Sequence, residues 1–381
     1  MRTVGVEEEL LLVGSDSGRA VSRATQVLRR AEVLAGARAS GPSTGADSSP
    51  GSSIDGELQR EMVETDTAPH RDMSELGEEL LAWRVRADSA ARREGARAAA
   101  LATSPLPVEP SAAYNERYQR IVERYGQIGR EQLICGCHVH VSVDSDDEAI
   151  GALDRARVWL PTLLALSTNS PFWQGGDSGY ASYRPEVMIR WPVAGPPDLF
   201  GSAAAYRRQV EEMVATGVIL DEGMVYLDAR PSRSYPTLEI RVADVCQDPR
   251  DTVLLAALSR ALVETSAAQW AAGAPAPEVP TQMIRLATWQ AARYGTGGEL
   301  LDPFTHRPRP AGEVLDLLLA HVRPALEEYG DTELVLEGLA RLREVGTGAD
   351  RQRRVLERTG SLHDVVQAAV RTTLGQEGQG R

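Results

Sequence analysis

Polar and apolar positions alternate strictly through residues 133–143, which predicts a β-strand with Gly136, His138, His140 and Ser142 on one face and mostly apolar side chains on the other. Two distant stretches repeat this design. In residues 4–10 the period of two brings Glu7 and Glu9 together, and in residues 237–242 it brings Glu239 and Arg241 together. The simplest arrangement is one antiparallel sheet whose greasy face packs on helices and whose other face binds something polar, because lone buried carboxylates are costly without a cation or a donor. Acids and imidazoles gathered on one face point to a divalent metal.

Around these strands the pattern changes to a helical period. Helices are predicted at residues 24–35, 73–99, 114–125, 146–167, 206–216 and 251–272, and beyond Pro280 the chain reads as helical apart from residues 295–310 and 346–350. Short strands are predicted at 101–103, 187–191 and 224–229. Residues 168–197 read mostly as loop, and long loops inside a domain are often functional. In residues 57–65, Glu57 and Glu64 stand seven apart, which suits one face of a helix or a turn running into a strand. Residues 36–56 are rich in Gly, Ser, Ala and Pro and fall between two acidic elements, so they are expected to be a mobile loop beside the site rather than an inert insertion. The expectation is a single catalytic domain over residues 1–374, with 311–374 as a helical C-terminal part and 375–381 as a frayed tail.

Composition narrows the chemistry. With 42% hydrophobic and 25% charged residues over 381 positions, the chain is an ordinary globular sequence. The net charge of −13 argues against nucleic acid. No basic amphipathic helix seeks a membrane, no apolar run nears the roughly 18 residues needed to span one, and the opening goes straight into an acidic strand, so a cytoplasmic protein is expected. Cys135 and Cys137 lie on the apolar side of one strand and read as buried small hydrophobes. The sequence contains no lysine, so all 41 basic residues are arginine. Phosphate loops, Schiff bases and nucleophiles that depend on an ε-amine are thereby excluded. Any phosphate must be handled by metal, arginine and backbone.

Each candidate also has a plainer explanation. A run such as Glu7-Glu8-Glu9 is usually a solvated face, yet Val4, Val6 and Leu10 to Val13 crowd it and place it inside the fold. His138 and His140 share a face, which suits metal or substrate contact as well as core packing. Glu239 beside Arg241 suits a simple ion pair equally.

Six segments in order resemble the type 2 glutamate-cysteine ligase family, also called carboxylate-amine ligases. They are Gly5 to Leu10, the Glu57 to Glu64 segment, Ile134 to Val141, Asn169-Ser170-Pro171-Phe172-Trp173, Tyr183-Arg184, and Leu238 to Asp244. The resemblance implies an α+β, glutamine-synthetase-like fold, in which a curved antiparallel sheet forms a funnel with helices outside. It implies two or three Mg²⁺ or Mn²⁺ ions holding ATP, with ligands matching Glu7, Glu9, Glu57, Glu64, His138 and Glu239. Some relatives have aspartate where this chain has Glu57.

Under that resemblance, glutamate is activated by ATP as an acyl phosphate and joined to cysteine or another amine. Hard oxygen ligands with one imidazole favour Mg²⁺ or Mn²⁺ over Zn²⁺. Arg241 is expected at the phosphoryl oxygens beside the catalytic Glu239, and Arg184 or Arg190 at the substrate α-carboxylate, with His140 and Asn169 also substrate-binding. Two other classes compete: a metal-dependent amidohydrolase using His138 and His140, and a non-catalytic nucleotide or amino-acid binding protein. A homodimer is the general prior.

Overall fold

A seven-stranded antiparallel sheet forms the centre of the computed structural model, which describes residues 1–36 and 53–376. Its strands are β1 (Val4–Gly14), β2 (Ser53–Gly56), β3 (Met62–Asp66), β4 (Ala96–Ala99), β5 (Gly136–Ser142), β6 (Ala229–Pro231) and β7 (Thr237–Asp244). The order is β6-β7-β5-β1-β3-β2, and β4 pairs with β1 from Leu11 to Gly14. The three strands predicted to carry chemistry, β7, β5 and β1, are therefore direct neighbours.

One face of this sheet is packed. Val4 and Val6, Val139 and Val141, and Leu238 and Ile240 lie against Leu76 and Leu80 of the helix Met73–Arg92 and against Leu254, Leu258 and Leu262 of the helix Pro249–Ala271. Each such side chain contributes about 1.5–3 kcal/mol on burial. The free cysteines Cys135, Cys137 and Cys246 are buried, as expected of small hydrophobes. A second cluster joins Leu10 to Val13 of β1 to Val366, Ala369 and Val370 of the last helix, Leu362–Thr373. The four C-terminal helices end on the same sheet at which the chain begins.

Several local expectations need correction. The predicted helix 73–99 stops at Arg92, because Gly95 adopts a positive φ of 72° and turns the chain into β4. Alanines 96, 98 and 99 favour helix in isolation but are fully buried in the sheet, where packing overrides propensity. The strand predicted at 101–103 thus lies earlier, at Ala96–Ala99. The strand predicted at 187–191 is a short helix, Arg184–Met188, started by Pro185 in its first turn. The helix predicted at 146–167 is two, Asp146–Ala156 and Leu160–Ser167, joined by a 3₁₀ turn before Pro161. The predicted strand 224–229 divides into Tyr226–Leu227 and β6 after a 3₁₀ turn, Glu222–Met224. Most of the segment 36–56 lies outside the described residues, and its last four form β2 rather than loop. Residues 377–381 of the expected tail also lie outside them.

Candidate active site

The uncovered face of the sheet lines a cleft of about 330 Å³. Register decides which side chains meet there. Glu7 pairs with His138 on one side and Asp66 on the other, while Glu9 pairs with Glu64, which in turn pairs with Asp55 of β2. On the far side, Glu239 lies between His140 and Arg230. A period of two on each strand aims all of these residues to the same face, and Glu57 reaches it from the turn before β3. The alternative left open for residues 57–65 is settled as a turn running into a strand.

The site has two halves with different electrostatics. In the first, Glu7 is held by both imidazoles, with Oε2 3.1 Å from His138 Nδ1 and Oε1 2.9 Å from His140 Nε2. Burial works against its ionisation, but those hydrogen bonds outweigh it and hold the carboxyl well below the usual carboxylate range. Glu239 is bonded by Arg241 and, at 2.9 Å, by Arg230 Nε. Burial is again overcome, here by the two guanidiniums, and the carboxyl is held down to about 2. Burial and Arg241 lower His138, which favours the neutral imidazole that a metal ligand needs.

The second half is all acid. Glu9, Glu57 and Glu64 bring carboxylate oxygens within 4.8 Å of one another, as do Glu7, Glu64 and Asp66. Burial and Glu9 push Glu57 up to about 7, burial and Glu57 push Glu64 well above its ordinary value, and burial and Glu7 push Asp66 up to about 6. Asp66 Oδ1 is buried and meets no hydrogen-bond partner among the described residues. Glu9, Glu57, Glu64 and Asp66 form no ion pair among the described residues, and such crowded oxygens fit a hard divalent cation. A third group, Glu7, His138 and Glu239, offers a mixed oxygen and nitrogen site. Glu7, Glu9, Glu57, Glu64, His138 and Glu239 therefore come together, and the structure adds Asp66, which lies two residues beyond Glu64 on its face.

Glu8 points the opposite way. Between Glu7 and Glu9, it is fully buried against helix, where Arg84 Nε and Nη2 meet its oxygens at 2.7 and 2.6 Å and Thr252 donates at 2.7 Å. The same guanidinium donates to the carbonyls of Cys246 and Gln247, just beyond β7. One side chain thus ties the back of β1 to the end of β7.

The substrate-side residues divide. His140 lines the cleft, and its Nδ1 meets Thr237 Oγ1 at 2.9 Å. Arg184 also lines it. Its guanidinium donates to the carbonyls of Arg241 and Val242 and occupies the space a Cβ on Gly136 would take, 2.4 Å from Nη2. Only glycine lets the arginine lie on the strand. Asn169 does not reach the cleft. It is fully buried, and its amide donates to Ala100 O and Val245 O. Its loop serves Asp244, which accepts from Asn169 N, Ser170 Oγ and Ser182 Oγ at 2.8 Å each, while Ser170 Oγ also accepts from Arg184 N. Arg190 does not line the cleft either and pairs with Glu131 at 2.7 Å. Arg230, missed in the sequence, is the neighbour of Glu239 across β6, and its short strand gave too weak a period to assign a face.

The sequence profile of glutamate-cysteine ligase family 2 matches residues 3–368. The chain belongs to that family. A relative from Streptomyces avermitilis with the provisional name glutamate–cysteine ligase 2-1 is 52% identical over 98% of this chain and 100% of its own length. One from Streptomyces coelicolor, provisionally glutamate–cysteine ligase 2, is 51% identical over 98% and 99%. Among solved structures, the glutamate–cysteine ligase of Francisella tularensis in complex with AMP superposes with a TM-score of 0.68 at 14% identity, covering 99% of this chain and 89% of that one. The bifunctional glutathione synthetase of Pasteurella multocida gives 0.69 at 17% identity, over 99% and 53%. At that identity the likeness concerns the fold, which is the expected glutamine-synthetase-like α+β arrangement. No described helix is long and apolar enough to cross a membrane.

Proposed function

We propose that this member of glutamate-cysteine ligase family 2 is an ATP-dependent carboxylate-amine ligase that makes a γ-glutamyl amide through an acyl phosphate, with cysteine or another small amine as acceptor. The observation that carries the reading is the two-part acidic face: three overlapping ligand groups in a cleft that five arginines also line. Glu9, Glu57 and Glu64 would hold one divalent ion, Glu7, His138 and Glu239 another, and Asp66 with Glu7 and Glu64 a third. Mg²⁺ or Mn²⁺ bound there would neutralise phosphate charge.

The chain's own residues supply the rest. A glutamate γ-carboxylate oxygen bonds to the γ-phosphorus as ADP leaves, and the amine nitrogen then bonds to the acyl carbon as phosphate leaves. Arg241, held by Glu239 and lining the cleft, would donate to the transferring phosphoryl oxygens. Of the two arginines expected at the substrate α-carboxylate, Arg184 lines the cleft and Arg190 does not, which supports Arg184 in that role. Family membership removes the hydrolase expectation. ADP release from purified protein with MgATP and glutamate, stimulated by cysteine or one of a panel of amines, is the expected result. Nucleotide binding by calorimetry with no ADP formed under any combination would instead support a binding protein.

A further inference from the structure

Arg230 serves two spaces. It stands on β6, the edge strand of the sheet, where its Nε holds Glu239 Oε2 at 2.9 Å and its Nη1 donates to Val225 O at 2.8 Å. It lines the acidic cleft and also a separate cavity of about 200 Å³. That cavity lies between the β6–β7 hairpin, the start of the helix Asp146–Ala156 and the helix Ala203–Ala215, and it holds none of the candidate metal ligands. Two donors in it are left open. Arg230 Nη2 and the hydroxyl of the half-buried Tyr206 make no hydrogen bond with any described residue, and the phenol lies near enough to Arg230 to feel its charge. A guanidinium can only donate, and the phenol, which burial pushes up to about 12, keeps its proton to donate. Together they call for the oxygens of an anion. The acids at the rim do not meet that need: Asp146 is paired with Arg207 at 2.7 Å, Glu222 lies 3.8 Å from Arg233, and Glu211 is exposed. Ile150, Val210 and Pro231 give the same cavity an apolar wall, and an apolar wall with a few convergent polar groups is the usual form of a small-molecule site.

We infer that this cavity is an effector site for a small monocarboxylic acid with a short apolar body, and that its occupancy is passed to the cleft through Arg230. The carboxylate takes Arg230 Nη2 and the Tyr206 hydroxyl, and the body lies on Ile150, Val210 and Pro231. Arg230 then divides its charge between the effector and Glu239. Glu239, less neutralised, becomes a stronger ligand for the divalent ion proposed at Glu7, His138 and Glu239. Such a coupling is reciprocal, so the ion must tighten the effector by the same factor. Only this coupling rests on the metal reading above; the binding of the acid does not.

The probe is 4-methylpentanoate, which has neither an amine nor a second carboxyl. Calorimetry on the parent protein should show it binding, with 4-methylpentanamide, which lacks the charge, and acetate, which lacks the body, each at least about tenfold weaker. The near-isosteric Tyr206→Phe should weaken the probe at least about tenfold, and without the probe should leave the Mn²⁺ dissociation constant within about twofold of the parent's. In the parent, saturating probe should lower that constant, read by electron paramagnetic resonance, about fivefold or more, and saturating Mn²⁺ should tighten the probe by the same factor. No binding of the probe, binding that glutamate displaces competitively, or binding that Tyr206→Phe leaves untouched would overturn the site. Bound probe that leaves the Mn²⁺ constant unchanged would overturn the coupling. A protein that takes up no Mn²⁺ with or without the probe would overturn the metal reading and the coupling with it, while the calorimetry still decides the site.

Discussion

Strand β1 carries three consecutive glutamates that meet opposite fates on its two faces. Glu8, on the packed face, has its charge met by the Arg84 guanidinium and a hydroxyl, all fully buried. Glu9, on the open face, meets the amide of Gly136 and otherwise faces Glu57 and Glu64, which are pushed toward protonation. Glu8 is buried and Glu9 half-buried. The difference is that one charge finds its counterpart within the chain, whereas the other waits for one from outside. A buried acid signals a ligand only when the chain fails to complete it.

The contrast can be broken on the open face first. Glu7→Gln and Glu239→Gln should each lower turnover on the order of 100-fold or more while circular dichroism shows the fold kept. Full activity in both would remove the active-site assignment. On the packed face the effect should fall on stability. Arg84→Met leaves Glu8 buried and unpaired and should cost about 3–5 kcal/mol in urea unfolding, much of it recovered when Glu8→Leu is added. A double variant no more stable than the single would mean the pair is not the unit described.

Smaller effects sharpen the comparison. Asn169→Ala should cost about 1–3 kcal/mol of stability through unmade buried hydrogen bonds, with the KM for glutamate unchanged; a selective KM effect would restore it to the substrate site. The metal-free protein should lose stability as pH rises. Glu57, ordinarily near 4.5, is raised to about 7, so between those values the folded state holds the extra proton and is favoured at the lower end. Mg²⁺ should flatten this slope, and melts between pH 5 and 8 with and without the ion would show whether it does. Arg190→Ala breaks a partly exposed ion pair and should change stability by less than about 1 kcal/mol, with kcat unaffected.

Much of this was legible because period two survives burial. Alternation assigns Glu7, Glu9, His138, His140, Glu239 and Arg241 to one face; the register of β7, β5 and β1 puts Glu7, His138, His140 and Glu239 there, and Glu9 and Arg241 line the same cleft. The same rule applied to Glu64 would have reached Asp66. What alternation cannot express is who completes a charge. The partners that complete Glu8 and Asn169, namely Arg84, Thr252 and Gln352, are distant in sequence. Short elements were also poorly written. The mostly apolar run Val187 to Trp191 suits a strand, yet Pro185 starts a helix there, and β6 at three residues is too brief to show a period.

The cations lining the acidic cleft, Arg117, Arg184, Arg230, Arg233 and Arg241, are all guanidiniums, in a chain without a single lysine. An activated carboxyl is prey for any primary amine within reach, and a lysine placed to steady the phosphate would compete with the incoming substrate by acylating itself. A guanidinium stays protonated and is a poor nucleophile at neutral pH. With arginine in every such position, a carboxyl activated there as proposed would meet no side-chain amine, and the nucleophile would be left for a second substrate to bring.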